Sequence, residues 1–328
     1  MSDKENKNPI ISIIIPCYNC ESMINETLSA LEVQCGDETE IICINDGSKD
    51  ATLNALLEYK SNSSLNMVVL DQENAGVSAT RNRGIKEASG DYIIFLDADD
   101  ILHKDYLSLI LSAKEKSGAD CVYCLLSREK SVALEHDAVG TSYEIQDSRA
   151  AMDNLLYRMG EVGFYCYLYN RQVLIEKEIN FEPSAKFGED REFNWKYLCH
   201  CKTFAFIEKP LYWYRPNMAS ATKSKASWRN TDALAAMKRV EAYMEEQKCE
   251  YLEEFKSYMY ARVMWSVAKN FAASKDKELF ARLANEYDVK SCMKITAKDS
   301  SKLVALASIL YLINPKLFFL CVSVRGQK

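Results

Sequence analysis

The sequence predicts an α/β protein: a doubly wound, mostly parallel sheet flanked by helices, with a helical region at its C-terminal end. Three observations predict it. Unbroken apolar runs recur at IISIII (10–15), IICIN (41–45), MVVL (67–70) and YIIFL (92–96), stretches of helical periodicity separate them, and from about residue 226 only helical patterns appear. Strands without polar alternation suit a parallel sheet covered on both faces, and the alternation of strand and helix calls for right-handed crossovers.

Taken in order, IISIII is a β-branched strand and SMINETLSALEVQ the helix after it. IICIN is the second strand, and ATLNALLEYK follows with Asp50 as a plausible N-cap. MVVL leads into a helix within SATRNRGIKEAS, which Gly90 helps to end as a helix-stop residue. YIIFL is the fourth strand, and residues 9–125 form one α/β part. Residues 126–222 are rich in aromatics, as in GFYCYLYN and FAFIEKPLYWYRP, with the acidic helix start GEDREF between them. Residues 223–328 form the helical part, with MKRVEAYMEEQK and YLEEFKSYMYARVMWSVAKNFAA as its clearest helices.

In doubly wound sheets, ligands sit beyond the carboxyl ends of the strands. The segments at that edge are PCYN, NDGSKD, DQENAG and DADD, so four polar tips are expected to meet at one crevice. In YIIFLDADD, Asp97 and Asp99 would share a face if the chain stayed extended. Two carboxylates 4 Å apart repel by roughly 4 kcal/mol at an effective dielectric near 20, so a compensating cation is expected. No GxGxxG follows the first strand and no GxxxxGK[ST] occurs, so the crevice holds its anion without a glycine cradle. Magnesium or manganese, which takes hard oxygen ligands and bridges carboxylate to diphosphate, is the candidate.

Composition narrows the function classes. The chain has 328 residues, 48% hydrophobic and 27% charged, with a formal net charge of −6. An acidic balance without a basic run excludes an electrostatic footprint for nucleic acid. The polar start MSDKENKNP lacks the apolar segment of a secretory signal, so a cytoplasmic protein is expected, and its twelve cysteines should be mostly reduced. Cys17 with Cys20, Cys121 with Cys124, and the Cys199–His200–Cys201 run have metal-like or redox-like spacing. A strand through ADCVYCLL puts Cys121 and Cys124 on opposite faces, so buried hydrophobic thiols are the favoured reading.

The ordered set ISIIIPCYNCESMINETLSAL, EIICINDGSKDAT, QENAGVSATRNRGIKEASGDYIIFLDADD and FGEDREF resembles the inverting glycosyltransferases of family two, over residues 10 to about 200. The resemblance implies a GT-A fold, which is Rossmann-like with a mostly parallel central sheet. It also implies transfer of a sugar, with inversion, from a nucleotide diphosphate donor, commonly a UDP-sugar, to an acceptor hydroxyl. By similarity Pro16 and Tyr18 line the nucleoside pocket, Asp46 accepts a hydrogen bond from the base, and Asn74, Gly76 and Arg81 continue the nucleotide site. Asp97 supports ribose and diphosphate, Asp99 holds Mn2+ or Mg2+, Arg215 contacts the diphosphate, and Asp190 is the base with Glu189 supporting it. Cys17 departs from the family, which usually has Ala or Thr there. The 126–222 stretch then carries acceptor binding and catalysis, and the expected acceptor is a saccharide or lipid-linked saccharide in surface polysaccharide or glycolipid synthesis. The QxxRW motif of processive synthases is absent, which favours single additions.

Plainer readings stand beside these. Asp99 or Asp100 could cap the helix in YLSLILSAKEK, worth about 1 kcal/mol. Glu189 and Asp190 could be first-turn charges on a helix dipole, Arg81 a solvated face residue, and His103 a helix-start residue. The aromatics Phe164, Tyr165, Tyr167, Tyr169, Tyr212, Trp213 and Tyr214 are more often core than sugar platforms. A nucleotide-sugar binding module without catalysis is the non-enzyme alternative. A sugar nucleotidylyltransferase is the other enzyme class, but its glycine-rich turn is missing after the first strand. The tail LVALASILYLINPKLFFLCVSVR is broken by Asn314, Pro315 and Lys316, so it reads as two short helices rather than a span. They either pack on the protein or touch the cytoplasmic face of a membrane near Lys302, Lys316, Arg325 and Lys328.

Overall fold

The computed structural model describes residues 10–138, 140–157, 161–216 and 226–325. The polar start, the NMASAT stretch after Pro216 and Lys328 lie outside the described residues. The chain divides into two compact units. The first takes Met1–Ser148, Gly160–Pro183 and His200–Asn217; the second takes Arg149–Met159, Ser184–Cys199 and Met218–Lys328.

The first unit opens as the sequence predicts. Strand β1 (Ile11–Cys17) is followed by α1 (Ile24–Glu32), β2 (Thr39–Asp46), α2 (Thr52–Asn62), β3 (Asn66–Gln72), α3 (Val77–Glu87) and β4 (Tyr92–Phe95). These strands pair in parallel in the order β3-β2-β1-β4. Nearly every residue of β1 and β2 is buried, which is why neither strand shows polar alternation. The chain winds outward from β1 through β2 to β3, then returns to place β4 on the other side of β1. The switch point therefore lies between β1 and β4, where PCYN and DADD emerge, and this is where such sheets bind ligands.

Beyond β4 the sheet is mixed. Next come β5 (Ile101–Leu102), α4 (Tyr106–Ser117), β6 (Cys121–Ser127), α5 (Lys130–Leu134) and β7 (Glu144–Asp147), then β8 (Tyr167–Asn170), α7 (Arg171–Glu176) and β9 (Thr203–Trp213). Strand β8 inserts antiparallel between β4 and β6; β9 lies parallel to β6 and pairs antiparallel with β5 and β7. The aromatic texture of 126–222 is explained by this half: Tyr167, Tyr169, Phe204, Phe206 and Tyr212 are fully buried.

Two local expectations change. Helix α3 ends at Glu87, with the Ala88 N–H closing on the Gly84 carbonyl, so Gly90 is not its stop. Gly90 instead lies against β1: its N–H donates to Ser12 Oγ at 2.9 Å, and a Cβ would come within 2.8 Å of the Ile11 carbonyl carbon. Asp50 sits one residue before the N-cap Ala51, yet its carboxylate accepts from the Thr52 N–H at 3.0 Å. It does a cap's work from the neighbouring position.

The thiols form small buried contacts. Cys121 reaches Cys201 while Cys124 reaches Cys166, so the two cysteines of CVYC part company, as a strand requires. Among the described residues no group of three or more His, Cys, Asp or Glu is arranged to hold a metal.

The second unit is helical: α6 (Ser148–Tyr157), α8 (Glu189–Leu198), α9 (Asp232–Glu246), α10 (Leu252–Ala273), α11 (Lys277–Glu286), α12 (Val289–Thr296), α13 (Lys302–Ile313) and α14 (Pro315–Arg325). The 22-residue α10 is its spine, burying Phe255, Met259, Met264, Val267 and Phe271 along its length. The tail does break at Asn314–Pro315 into two helices, and no described helix is long and apolar enough to cross a membrane.

Candidate active site

Three of the four predicted tips are tied to one another by hydrogen bonds within the first unit, while the fourth, DADD, is held by Thr27 of α1, Arg81 of α3, Tyr212 and Arg215. The PCYN tip joins NDGSKD: Asn19 N–H donates to Ser48 Oγ at 3.0 Å, Lys49 N–H to Asn19 Oδ1 at 2.8 Å, and Cys20 N–H to Thr52 Oγ1 at 2.8 Å. NDGSKD joins DQENAG through Asp46 and through Asn45, whose amide donates to Asp71 at 2.7 Å. A cavity of about 450 Å³ opens between these two tips, lined by Asn45, Gly47, Ser48, Asp71, Gln72 and Glu73 among others.

Asp46 is buried, and both its oxygens are occupied. Oδ1 accepts from Gln72 Nε2 and the Ala75 N–H, each at 2.8 Å; Oδ2 accepts from the Gly76 N–H at 3.0 Å and Asn74 Nδ2 at 3.2 Å. A carboxylate has about four lone-pair sites, so Asp46 spends them all on shaping the loop that carries Asn74 and Gly76. Gly47 makes that approach feasible. Its φ is +64°, and a Cβ there would meet the Asn74 nitrogen at 2.6 Å.

At the fourth tip the three aspartates have different surroundings. The strand ends at Phe95, and residues 97–100 turn back, with the Asp100 N–H donating to the Asp97 carbonyl at 3.0 Å. The extended-chain reasoning for Asp97 and Asp99 therefore does not apply. Both are nonetheless half-exposed while Ala98 and Asp100 are buried. Arg81 on α3 donates to Asp97 at 2.8 Å, and its guanidinium lies 4.4 Å from the centre of the Phe164 ring. Arg81 is buried, which overturns the solvated-face reading.

Asp100 accepts from the Tyr212 hydroxyl at 2.7 Å and from the Arg215 N–H at 2.8 Å. Burial, then the neighbouring Asp97 charge, pushes its carboxyl up to about 8 against those two donors. Arg215 also grips the tip through its side chain, with Nε on the Asp99 carbonyl at 2.7 Å and Nη2 on Glu26 at 2.6 Å. The Arg215 bond holds the Glu26 carboxyl below its ordinary range. The capping alternative for Asp99 and Asp100 fails, because α4 begins at Tyr106 with Asp105 in the N-cap position. His103 is the helix-start residue expected, accepting the Asp105 N–H on Nδ1 at 3.1 Å.

Pro16 lies near the end of β1 and Tyr18 just beyond it, and Tyr18 is 49% exposed, a surface open to a planar partner. Most aromatics take the core reading. Tyr165 and Tyr214 are half-buried, with Tyr165 stacked between Tyr212 and Tyr214.

The ED pair belongs to the second unit. Gly188, with φ +87°, precedes α8 and brings Glu189, Asp190 and Glu192 into its first turn. Asp190 Oδ1 accepts the Arg191 N–H at 2.7 Å. Glu192 is the structural acid of GEDREF: fully buried, it takes a bidentate contact from Arg239 at 2.6–3.0 Å and Lys196 at 2.8 Å. Sequence reading missed Glu192, Glu26 and Tyr212 as organisers. Their distant partners are 47, 189 and 112 residues away, and the only local signal is the i,i+4 pair of Glu192 with Lys196.

The donor chemistry at the fourth tip fits a hard cation. Magnesium takes one or two carboxylates and completes its shell with water and phosphate oxygens. Asp97 is balanced by Arg81, and Asp99 is the other half-exposed carboxylate of this tip, the one that would hold such a cation.

A β3-β2-β1-β4 parallel sheet whose switch point carries an acidic turn, continued by an antiparallel half, has the GT-A fold of glycosyltransferases. The family model for glycosyl transferase family 2 matches residues 12–212, and the chain belongs to that family. EpsH of Bacillus subtilis (strain 168), which bears the name of a glycosyltransferase, is 26% identical over 287 residues, covering 85% of this chain and 82% of EpsH. The poly(ribitol-phosphate) beta-N-acetylglucosaminyltransferase TarS of Staphylococcus aureus (strain Mu50) is 25% identical over 253 residues, 74% of this chain but 43% of TarS. The crystal structure of S. aureus TarS 1-349 in complex with UDP-GlcNAc is similar in fold, with a TM-score of 0.67 at 19% identity, covering 96% of this chain and 88% of that one.

Proposed function

We propose that this glycosyltransferase moves a sugar from a UDP-sugar to an acceptor hydroxyl with inversion, one addition at a time, in the synthesis of a cell-surface polysaccharide or glycolipid. The observation that carries this is the set of strand-end tips: three joined to one another by hydrogen bonds, and the acidic turn at the sheet's switch point held by two arginines. A β-N-acetylglucosaminyltransferase acting on poly(ribitol-phosphate), and its structure with UDP-GlcNAc, supply the analogy for donor and polymer.

In this reading Pro16 and Tyr18 border the nucleoside, and Asp46, expected to accept from the base but already taking four donors of its own chain, acts by holding Asn74 and Gly76 in place. Arg81 fixes Asp97 toward ribose and diphosphate, while Arg215 lies at the diphosphate end. Asp99 would hold Mn2+ or Mg2+, a cation that neutralises charge gathering on the departing diphosphate. A solved mannosyltransferase of similar fold, PcManGT from Pyrobaculum calidifontis (TM-score 0.53, 16% identity), is described in complex with GDP-Man and Mn2+. Asp190 takes the proton from the acceptor hydroxyl as its oxygen attacks the anomeric carbon and the bond to UDP breaks. Glu189 supports it. A saccharide or lipid-linked saccharide acceptor completes the proposal.

The test is a screen of nucleotide sugars for donor hydrolysis and transfer with manganese, magnesium or chelator. Asp190→Asn should keep UDP binding and lose about 10²–10⁴ in transfer rate, the usual worth of a positioned base. Full turnover by that variant would refute the assignment of the base, and turnover indifferent to chelator would refute the metal.

A further inference from the structure

Helices α13 and α14 each carry two apolar stripes, and only one of them is used inside the second unit. The inner stripe is Val304 and Tyr311 on α13, with the buried Ser308 between them, and Phe318 and Phe319 on α14. It packs on the helices beneath, Phe318 edge-on to Trp265 and stacked on Phe280. The outer stripe is Leu303, Leu306 and Ile313, continued by Leu317, Leu320 and Val324, at spacings of three, four and seven that keep each set on one helix face. These six side chains are 40–71% exposed. Isolated exposed leucines need no explanation, but an aliphatic stripe on each of two consecutive helices marks an interaction surface.

Charge says what covers it. The chain as a whole is acidic at −6, yet residues 289–328 contain seven Lys and Arg and a single acid, Asp299. That acid is already spent, ion-paired with Arg262 at 3.4 Å and bonded to the Tyr258 hydroxyl. Lys294, Lys298, Lys302 and Lys316 are exposed, and Lys302 and Lys316 stand beside the first outer leucine of each helix. A second copy docking this face on itself in a two-fold interface would set like charges against like. An anionic bilayer surface accepts both features, taking the leucines into the acyl boundary and the lysines among its headgroups. Neither helix is long enough to span, so they would lie in the surface.

We infer that the outer face of α13–α14 docks this protein onto anionic lipid membranes. Vesicle binding needs no donor turnover, so it stands or falls apart from the reading of the active site. The full chain is sedimented with vesicles of phosphatidylcholine alone or mixed with phosphatidylglycerol, at low and high salt. The expected result is binding to the anionic vesicles that weakens with salt. L306S/I313S/L320S should lower it by at least about a hundredfold, since each buried leucine is worth roughly tenfold or more. K298Q/K302Q/K316Q should lower it more than about tenfold at low salt. Both variants should keep the wild-type circular dichroism spectrum and the same hydrolysis of soluble donor. The inference is overturned if the chain ignores anionic vesicles, binds neutral ones equally well, or binds as before with the three serines in place. A concentration-dependent dimer in sedimentation equilibrium that the serine variant abolishes would also overturn it, assigning the face to a second copy.

Discussion

The Arg81–Asp97 pair offers the sharpest test of how the rim is held. Its two charges are unequally buried, with side-chain exposures of 6% for Arg81 and 28% for Asp97. At 4 Å and an effective dielectric near 20 their attraction is roughly 4 kcal/mol before desolvation, and breaking a buried pair by removing one partner costs about 3–5 kcal/mol. Arg81→Met keeps the stem packed on Phe164 and leaves behind the carboxylate that water can reach, so it falls below that range, at about 2 kcal/mol. Asp97→Asn strands a cation that water cannot reach and whose Nε already lacks a partner among the described residues, so it costs about 3 kcal/mol or more. At about 2–4 °C per kcal/mol for a chain above 150 residues, Asp97→Asn should melt roughly 6–12 °C lower and Arg81→Met somewhat less. The double variant should recover about 1.5 kcal/mol or more of the summed loss. Thermal melts without metal or nucleotide read all three. Additive losses, or an Asp97→Asn milder than Arg81→Met, would mean the pair does not hold the turn.

Two further outcomes test the surrounding structure. Gly84→Ala would drive a Cβ to 2.4 Å from Ile14 Cγ2, so it should cost about 1–3 kcal/mol by overpacking; adding Ile14→Ala should make the pair less than additive, and an unchanged melting temperature for Gly84→Ala would show that α3 stands off β1. Burial keeps the Asp100 carboxyl up near 8, against about 3.9 in an unfolded chain, so the folded state holds this proton more tightly. Its contribution to stability is complete below about pH 4 and is lost as pH rises through 8. Wild-type melting temperature should therefore fall more between pH 6 and pH 9 than that of Asp100→Asn, and parallel profiles would show Asp100 already ionised at neutral pH.

Much of the first half of the fold was legible because its signals are local. IISIII, IICIN, MVVL and YIIFL are strands because a strand covered on both faces needs an unbroken apolar run, and the polar segments after them must fall at one edge because parallel strands point the same way. The break at Asn314–Pro315 was equally plain, since proline cannot continue a helix. Gly90 misled because a glycine after a helix looks the same whether it frees a turn or, as here, lets the chain press against the Ser12 backbone.

The sequence by itself determined the parallel half-sheet, the four polar tips and the acidic turn, each set by residues within a few positions of one another. Only the tertiary structure decided that β8 would enter between β4 and β6, that Asp46 would spend its oxygens on Ala75, Gly76, Gln72 and Asn74, and that Arg81 would answer Asp97 while Tyr212 and Arg215 answered Asp100. Those outcomes depend on which distant groups arrive with a donor where a buried acceptor must be satisfied. A linear pattern shows that such a debt exists without naming the residue that settles it.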